Sequence, residues 1–255
     1  MEAAYEWQED SLLGGRLRFA QPVRGYRVAI DPVLLAAAVP ATAGERAFEI
    51  GMGSAAAALC LALRVPGLVI DGIELQADLC ALARWNARLN RLDDRVRVTE
   101  GDLLTPPAAF LEGAYDHVFA NPPHLEAEKT DPPKERTRAI AHVEGYGGGS
   151  ARLAEWVGFA LRLAKPGGTL TFLHRMDRLE ELLENLRGGV GALAAFPLLS
   201  AAGRPAKRVL VQGRKGGPPS LARQAGLVLH DGTGAYTAEA EAVLRDGKAL
   251  HLVGA

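Results

Sequence analysis

The chain has 255 residues, 48% hydrophobic and 23% charged. That balance fits one α/β domain with appendages better than two independent domains, and it leaves enough apolar side chains for a sizeable core. Its longest apolar runs, 31–40 and 55–63, are about half of the roughly 20 residues a bilayer span needs, and the acidic opening MEAAYEWQEDSLL lacks the basic and apolar regions of a signal peptide; no membrane span is expected, and the cytoplasm is the expected location. The net charge of −1 argues against a surface that binds polyanions throughout. Two segments depart from that neutrality: 14–30 carries Arg16, Arg18, Arg24 and Arg27, and 201–217 carries Arg204, Lys207, Arg208, Arg214 and Lys215, both without acids. Such clusters suit phosphate contacts, and they also suit solvated turns.

In chain order, alternation over 16–20 and 26–30 around Gln21-Pro22-Val23-Arg24-Gly25 predicts a β-hairpin. Asp31-Pro32 opens a helix as cap and first-turn proline, and Pro40 ends it. Strands and helices then alternate: strand 46–50, helix 54–64, strand 68–74, helix 76–90, strands 95–101 and 115–121. This rhythm predicts βαβ units and a parallel sheet covered on both faces. From 122 to 150 the composition turns to Glu, Lys, Asp, Pro and Gly, the pattern of a long functional loop. A helix at 150–164, a Lys165-Pro166-Gly167-Gly168 turn, a strand at 169–174 and a helix at 177–187 follow. Strands at 192–199 and 207–213 have no helix between them, so they are expected to be antiparallel and to close the sheet as a hairpin. The final 40 residues read as a strand, a turn and a short helix. Cys60 and Cys80 sit in helical Ala/Leu patterns without a CxxC pair, so core thiols are expected, with no disulfide and no metal site.

Four segments carry the chemistry. Phe48-Glu49-Ile50-Gly51-Met52-Gly53 closes the first strand of the alternating series and opens a helix; the glycines allow a tight turn close to a nucleotide-like ligand. Glu49 in that place disfavours a pyrophosphate and suits a ligand with ammonium and sulfonium charges. Glu74, 21 residues after Gly53, stands where an acid accepts hydrogen bonds from both hydroxyls of a ribose. Asp102 in EGDLL can take an adenine amino group or cap a helix. Asn121-Pro122-Pro123-His124 ends the strand at 115–121. The Asn side-chain oxygen and the Pro122 carbonyl can both accept from one –NH2 group, and so polarise and align it for methyl transfer without a metal.

With these in order, the chain resembles the class I, seven-stranded S-adenosylmethionine-dependent methyltransferases over roughly 41–215, and within them the group whose fourth motif reads Asn-Pro-Pro-Tyr. LLGGRLRFAQPVRGYRVAIDPVLLAAAVP (12–40), HVFANPPH and AIAHVEG narrow the resemblance to the bacterial tRNA(Val) adenine methyltransferases. The resemblance implies an α/β fold with a seven-stranded Rossmann-like sheet and an antiparallel last strand. It also implies an N-terminal hairpin and helix (1–40) over the cofactor, a catalytic domain (41–215) and a C-terminal extension (216–255). S-adenosylmethionine would be held by Arg27, Asp31, Glu49, Gly51, Gly53, Glu74, Leu75, Asp102, Leu103 and Asn121, with Tyr26 at its edge. Asn121, Pro122, Pro123 and His124 would hold the amine, and Arg204, Lys207 and Arg208 the tRNA. Two departures stand out: GMGSA lacks the usual third glycine, and His124 replaces the usual aromatic. His124 leaves a protein glutamine or a guanine amino group open as acceptor. A nicotinamide-dependent dehydrogenase built on GMGSAA predicts hydride transfer with a catalytic Tyr-Lys or His partner near the strand at 115–121, and it is disfavoured because no recognisable partner motif of that kind is found there. A fourth reading is a non-catalytic adenosine-binding subunit.

Overall fold

Alternating apolar side chains build the sheet. Val209 and Val211 face one hydrophobic cluster while Leu210 between them faces the other, as the two-residue period of a strand covered on both faces requires. The computed structural model describes residues 7–23, 27–108, 110, 112–123, 125–126, 143–144 and 151–252. His124, Tyr26 and most of the predicted 122–150 loop lie outside them.

An N-terminal hairpin pairs β1 (Trp7–Leu12) with β2 (Leu17–Pro22), and α1 (Asp31–Ala38) follows. Next come β3 (Arg46–Ile50), α2 (Ala56–Arg64), β4 (Val69–Glu74), α3 (Ala77–Leu89), β5 (Val96–Glu100) and β6 (Tyr115–Ala120). Two short strands, β7 (Leu125–Glu126) and β8 (Val143–Glu144), pair with each other. The chain continues through α4 (Leu153–Leu163), β9 (Ala164–Arg175), α5 (Leu179–Leu186), β10 (Val190–Ala201) and β11 (Arg208–Lys215). It ends with β12 (Leu221–Arg223), β13 (Leu227–His230) and α6 (Ala238–Leu244).

The main sheet runs β12-β10-β11-β9-β6-β3-β4-β5, with β13 also on β10. β5, β4, β3, β6 and β9 are parallel, and β11 is antiparallel to both β9 and β10. The seven-stranded sheet with a reversed last strand is therefore present. The C-terminal β12 and β13 extend it to nine strands by pairing parallel to β10. Helices α1, α2 and α6 pack on one face, α4 and α5 on the other.

Two expectations are corrected. The hairpin is not 16–20 with 26–30; Leu17–Pro22 pairs instead with Trp7–Leu12, from Trp7↔Pro22 to Leu12↔Leu17. Leu13, Gly14 and Gly15 all take positive φ, at 52°, 64° and 89°, and two glycines make that reversal inexpensive. The partner strand, WQEDSL, is largely polar and exposed, so it carries no apolar alternation to announce it. The predicted 165–168 turn is also absorbed into β9, where the register on β6 slips between Tyr115 and His117.

Buried Asn86 on α3 locks the hairpin to the domain. Its Oδ1 accepts from Ala20 N at 2.7 Å, and its Nδ2 donates to Ala20 O at 2.9 Å and Ser54 O at 3.0 Å. It thereby ties β2 to the loop after β3.

Candidate active site

The carboxyl ends of β5, β4, β3 and β6 lie side by side, and each delivers one predicted residue. Ile50 pairs with Ala120, so Gly51 and Asn121 leave neighbouring strands together, about 4.8 Å apart as strand spacing dictates. Glu49 and Glu74 stand at the ends of β3 and β4, and Asp102 follows β5.

The turn after β3 is built from left-handed residues: Gly51 at φ 68°, Gly53 at 57° and Ala55 at 70°. Ala55 holds the conformation that a third glycine adopts without strain. The N–H groups of Gly51 and Met52 both donate to Ile73 O, at 2.9 and 3.0 Å, fixing the turn to β4. The Glu74 carboxylate accepts from Gly53 N at 2.8 Å and Gln76 N at 2.9 Å. Each oxygen keeps a lone pair for a further donor such as a ribose hydroxyl. Leu75 beside it is exposed.

Glu49 is 5% exposed and accepts from Ala58 N at 3.0 Å, in the first turn of α2. Burial pushes its carboxyl well above the ordinary range, and the neighbouring Glu74 charge adds to the rise. Burial raises Glu74 too, against the backbone N–H groups that favour its ionised form. Neither carboxylate has an ion-pair partner among the described residues. Two desolvated acids without a counterion fit a cationic ligand, because its charge is what their ionised forms lack.

Asp102 is half-buried and accepts from Leu104 N at 2.9 Å, closing a turn back to Thr105; Leu103 packs under it against the second cluster. At the end of β6, Pro122 and Pro123 are buried and Asn121 is half-buried. Among the described residues the buried Oδ1 of Asn121 has no hydrogen-bond partner, which is unusual for a native protein and leaves it able to accept from a further donor.

Other predicted residues stand further out. Arg27 is exposed and 3.7 Å from Asp10. Asp31 accepts from Arg208 Nε at 3.1 Å, so this arginine is engaged within the fold, while Arg204 and Lys207 are exposed. Two residues that shape the site escaped the sequence reading. Asn86 was legible as the polar residue in the apolar stripe Leu79, Cys80, Ala83, Ala87 of α3. Trp156 was hidden by fitting the core stripe Leu153, Trp156, Val157, Ala160 of α4. Among the described residues no cluster of three metal-ligating side chains occurs, and no helix is long and apolar enough to cross a membrane.

The parallel sheet with its reversed β11, the left-handed turn after β3, the acid ending β4 and the Asn-Pro-Pro turn together define a class I methyltransferase. A predicted O-methyltransferase from Agrobacterium tumefaciens has the same fold at a TM-score of 0.72 and 23% identity, over 88% of this chain and 99% of that one. No protein-family model matches the chain. The tRNA1(Val) (adenine(37)-N6)-methyltransferase of Aeromonas hydrophila is 30% identical over 213 residues, 83% of this chain and 85% of the relative. The enzyme of that name from Porphyromonas gingivalis is 33% identical over 162 residues, 61% of each. The chain belongs to the tRNA1(Val) (adenine(37)-N6)-methyltransferase family.

Proposed function

We propose that the protein methylates the exocyclic amine of adenine in tRNA1(Val), using S-adenosylmethionine. Family membership supports the substrate, and the observation that carries the chemistry is the buried, unpartnered Asn121 Oδ1 at the end of β6. An acceptor desolvated in that way has lost its water without gaining a partner, so a bound –NH2 recovers a hydrogen bond there that it could not make as well in solvent. Asn121 Oδ1 takes one amine hydrogen, and the carbonyl of Pro122, the next residue, takes the other. With both hydrogens held, the nitrogen lone pair is aimed and made more available.

S-adenosylmethionine, when bound, supplies an electrophilic methyl group. Glu74 accepts from its ribose hydroxyls, while Glu49 contributes negative potential from beneath the turn. Asp102 and Leu103 border the adenine, and the N-terminal hairpin, fixed through Asn86, covers one side. No group in this scheme acts as a strong base, and none is needed for an amine nucleophile whose geometry is set in advance.

Asn121→Ala tests the reading. Methyl transfer to a tRNA1(Val) transcript is expected to fall by a factor on the order of 100 or more, as for loss of a preorganised polar group. S-adenosylmethionine affinity is expected to change by less than about threefold by calorimetry, because at most one neutral contact is lost. Full activity in Asn121→Ala would rule out the amine cradle.

A further inference from the structure

Among the described residues six large apolar side chains stand exposed, and four of them, Trp7, Val23, Leu75 and Trp85, belong to the open end of the N-terminal hairpin and to the start and outer face of α3. Trp7 opens β1 opposite Pro22, the last residue of β2. Its ring meets that of Trp85, with centroids 5.7 Å apart and planes tilted by 48°. The contact still leaves Trp7 49% and Trp85 44% exposed, so nearly half of each indole remains in water. Two touching indoles left in that state form a contiguous apolar patch, which on a folded domain marks a contact surface.

The patch leads towards the reacting end of the sheet. Trp85 is eight residues into α3, about 12 Å along its axis. Helical side chains lean towards the helix N-terminus, so its ring is carried back towards Glu74 and Leu75, from which α3 departs. The charges beside it are cationic. Arg84 precedes Trp85 and Arg88 follows it at i+3 on the same helix face, and both are exposed. The acids of β1 are engaged: Glu9 is ion-paired with Arg18 at 2.5 Å, and Asp10 accepts from Gln21 Nε2 at 2.8 Å. Asp78 stands about two turns earlier in α3. A protein segment fitting this surface needs an acid set beside an aromatic or aliphatic anchor, whereas every nucleotide brings a flat ring and an anionic phosphate together.

We propose that Trp7 and Trp85 form a stacking platform for an unpaired base near the methylated adenine of the RNA, with Arg88 against an adjoining phosphate. This rests on the adenine reading given above. An amine engaged in a base pair is reached only when its nucleotide is unpaired or turned out of the stack, so RNA presented to this site has neighbouring bases with free faces. An indole face restores to one of them the stacking it has lost. Every base has such a face, so the platform selects single-stranded RNA beside the target and tolerates a change of base there.

Binding of a labelled stem-loop with the tRNA1(Val) anticodon arm, followed by fluorescence anisotropy with S-adenosylhomocysteine present, tests this. Trp7→Ala and Trp85→Ala are each expected to weaken it roughly tenfold, the scale of one lost base–aromatic stack. In turnover the loss is expected as a raised KM for tRNA with kcat and S-adenosylmethionine affinity little changed. Trp85→Phe, which keeps a flat face, is expected to recover most of the affinity, and Trp85→Leu, apolar but not flat, to recover none. When abasic sites are scanned along the loop, one position is expected to weaken the wild type by the same factor and leave Trp85→Ala unaffected. Arg88→Ala is expected to lower the salt slope of binding by about 0.7, one single-strand phosphate contact. If the alanine variants do not fold, acrylamide quenching of the wild-type tryptophan emission decides: it is expected to fall when the stem-loop is added and to stay unchanged with a fully paired duplex of equal length. RNA affinity undiminished in both alanine variants overturns the proposal, as does an equal loss of cofactor affinity, or quenching that the stem-loop leaves unchanged. A wild type that binds the stem-loop through these tryptophans and methylates no tRNA ends the adenine reading and keeps the platform. A wild type that methylates tRNA1(Val) while neither tryptophan affects binding ends the platform alone. Methylation of a protein that slows in Trp85→Ala assigns the surface to a protein partner and overturns the RNA proposal.

Discussion

Glu49 combines two tasks on one buried carboxyl. It accepts from Ala58 N, satisfying a first-turn donor of α2 that has no partner within the helix. Its burial and the nearby Glu74 also hold its protonation range well above the ordinary one. A cation bound beside it favours the ionised form, so binding should release a proton at any pH between the ordinary carboxylate value, about 4.3, and the raised one. Calorimetric titration of S-adenosylmethionine in two buffers of different ionisation enthalpy should therefore give different apparent enthalpies. Affinity should strengthen as pH rises through that interval. Glu49→Gln keeps an acceptor for Ala58 N and should reduce the buffer dependence to the part Glu74 contributes; a dependence undiminished in Glu49→Gln would mean that the proton comes from elsewhere.

At the scale of elements, the turn after β3 and the β10–β11 hairpin each yield an expectation. Ala55 occupies a left-handed conformation, φ 70° and ψ 26°, which costs a residue with a Cβ roughly 1–2 kcal/mol. Glycine avoids that cost and loses about 0.4–1 kcal/mol through its freer unfolded chain. Ala55→Gly should thus raise unfolding free energy by up to about 1 kcal/mol in urea titrations, and a decrease would mean that the buried methyl contributes more than the backbone strain removes. In the hairpin, Arg204 and Lys207 are exposed, whereas Arg208 is held by Asp31. Replacing Arg204 and Lys207 by alanine should lower the salt slope of tRNA binding by about 1.4–1.8, two phosphate contacts at about 0.7–0.9 each. Arg208→Ala should move it far less. A slope unchanged in the double variant would leave both side chains as solvated surface.

The same elements show what a sequence transmits and what it hides. β3 was legible at its observed bounds, and the order of β4, α3, β5, β6, α4, β10 and β11 was legible to within a few residues, because each buries an apolar pattern with a clear period. β1 was not, since pairing supplies its hydrogen bonds while solvent faces its polar side chains. Glu49, Glu74 and Asn121 were readable as polar residues closing apolar strands, and they stand at the ends of β3, β4 and β6. Trp156 was not, because a buried indole fits a packing stripe as any apolar side chain does, and only coordinates show its ring over Gly51 and its N–H without a partner among the described residues. Ala55 is the reverse case: the missing third glycine was visible, but its compensation by a left-handed alanine was a matter of backbone geometry.

Across the whole molecule the buried titratable groups oppose each other as pH falls. Glu49 and Glu74 have raised folded values, so in the interval above the ordinary carboxylate value the folded state takes up protons first and acidification favours it. His174 on β9 acts the other way. It is buried, and burial, reinforced by the Arg178 charge, lowers its value to about 4. In the unfolded chain it ionises near 6.5, so its stabilisation is complete above that pH and is lost as pH falls towards 4. The full loss is about 3 kcal/mol, from about 2.5 units at 1.36 kcal/mol each. Because the acids mask part of this in the wild type alone, the measurement is a difference: unfolding free energies of the wild type and His174→Gln, compared at pH 7 and pH 4.5. The stability of the wild type relative to the variant should fall by roughly 2–3 kcal/mol between the two pH values. A constant difference would mean that His174 titrates alike in both states, and that the interior of this sheet discriminates against its charge far less than its burial implies.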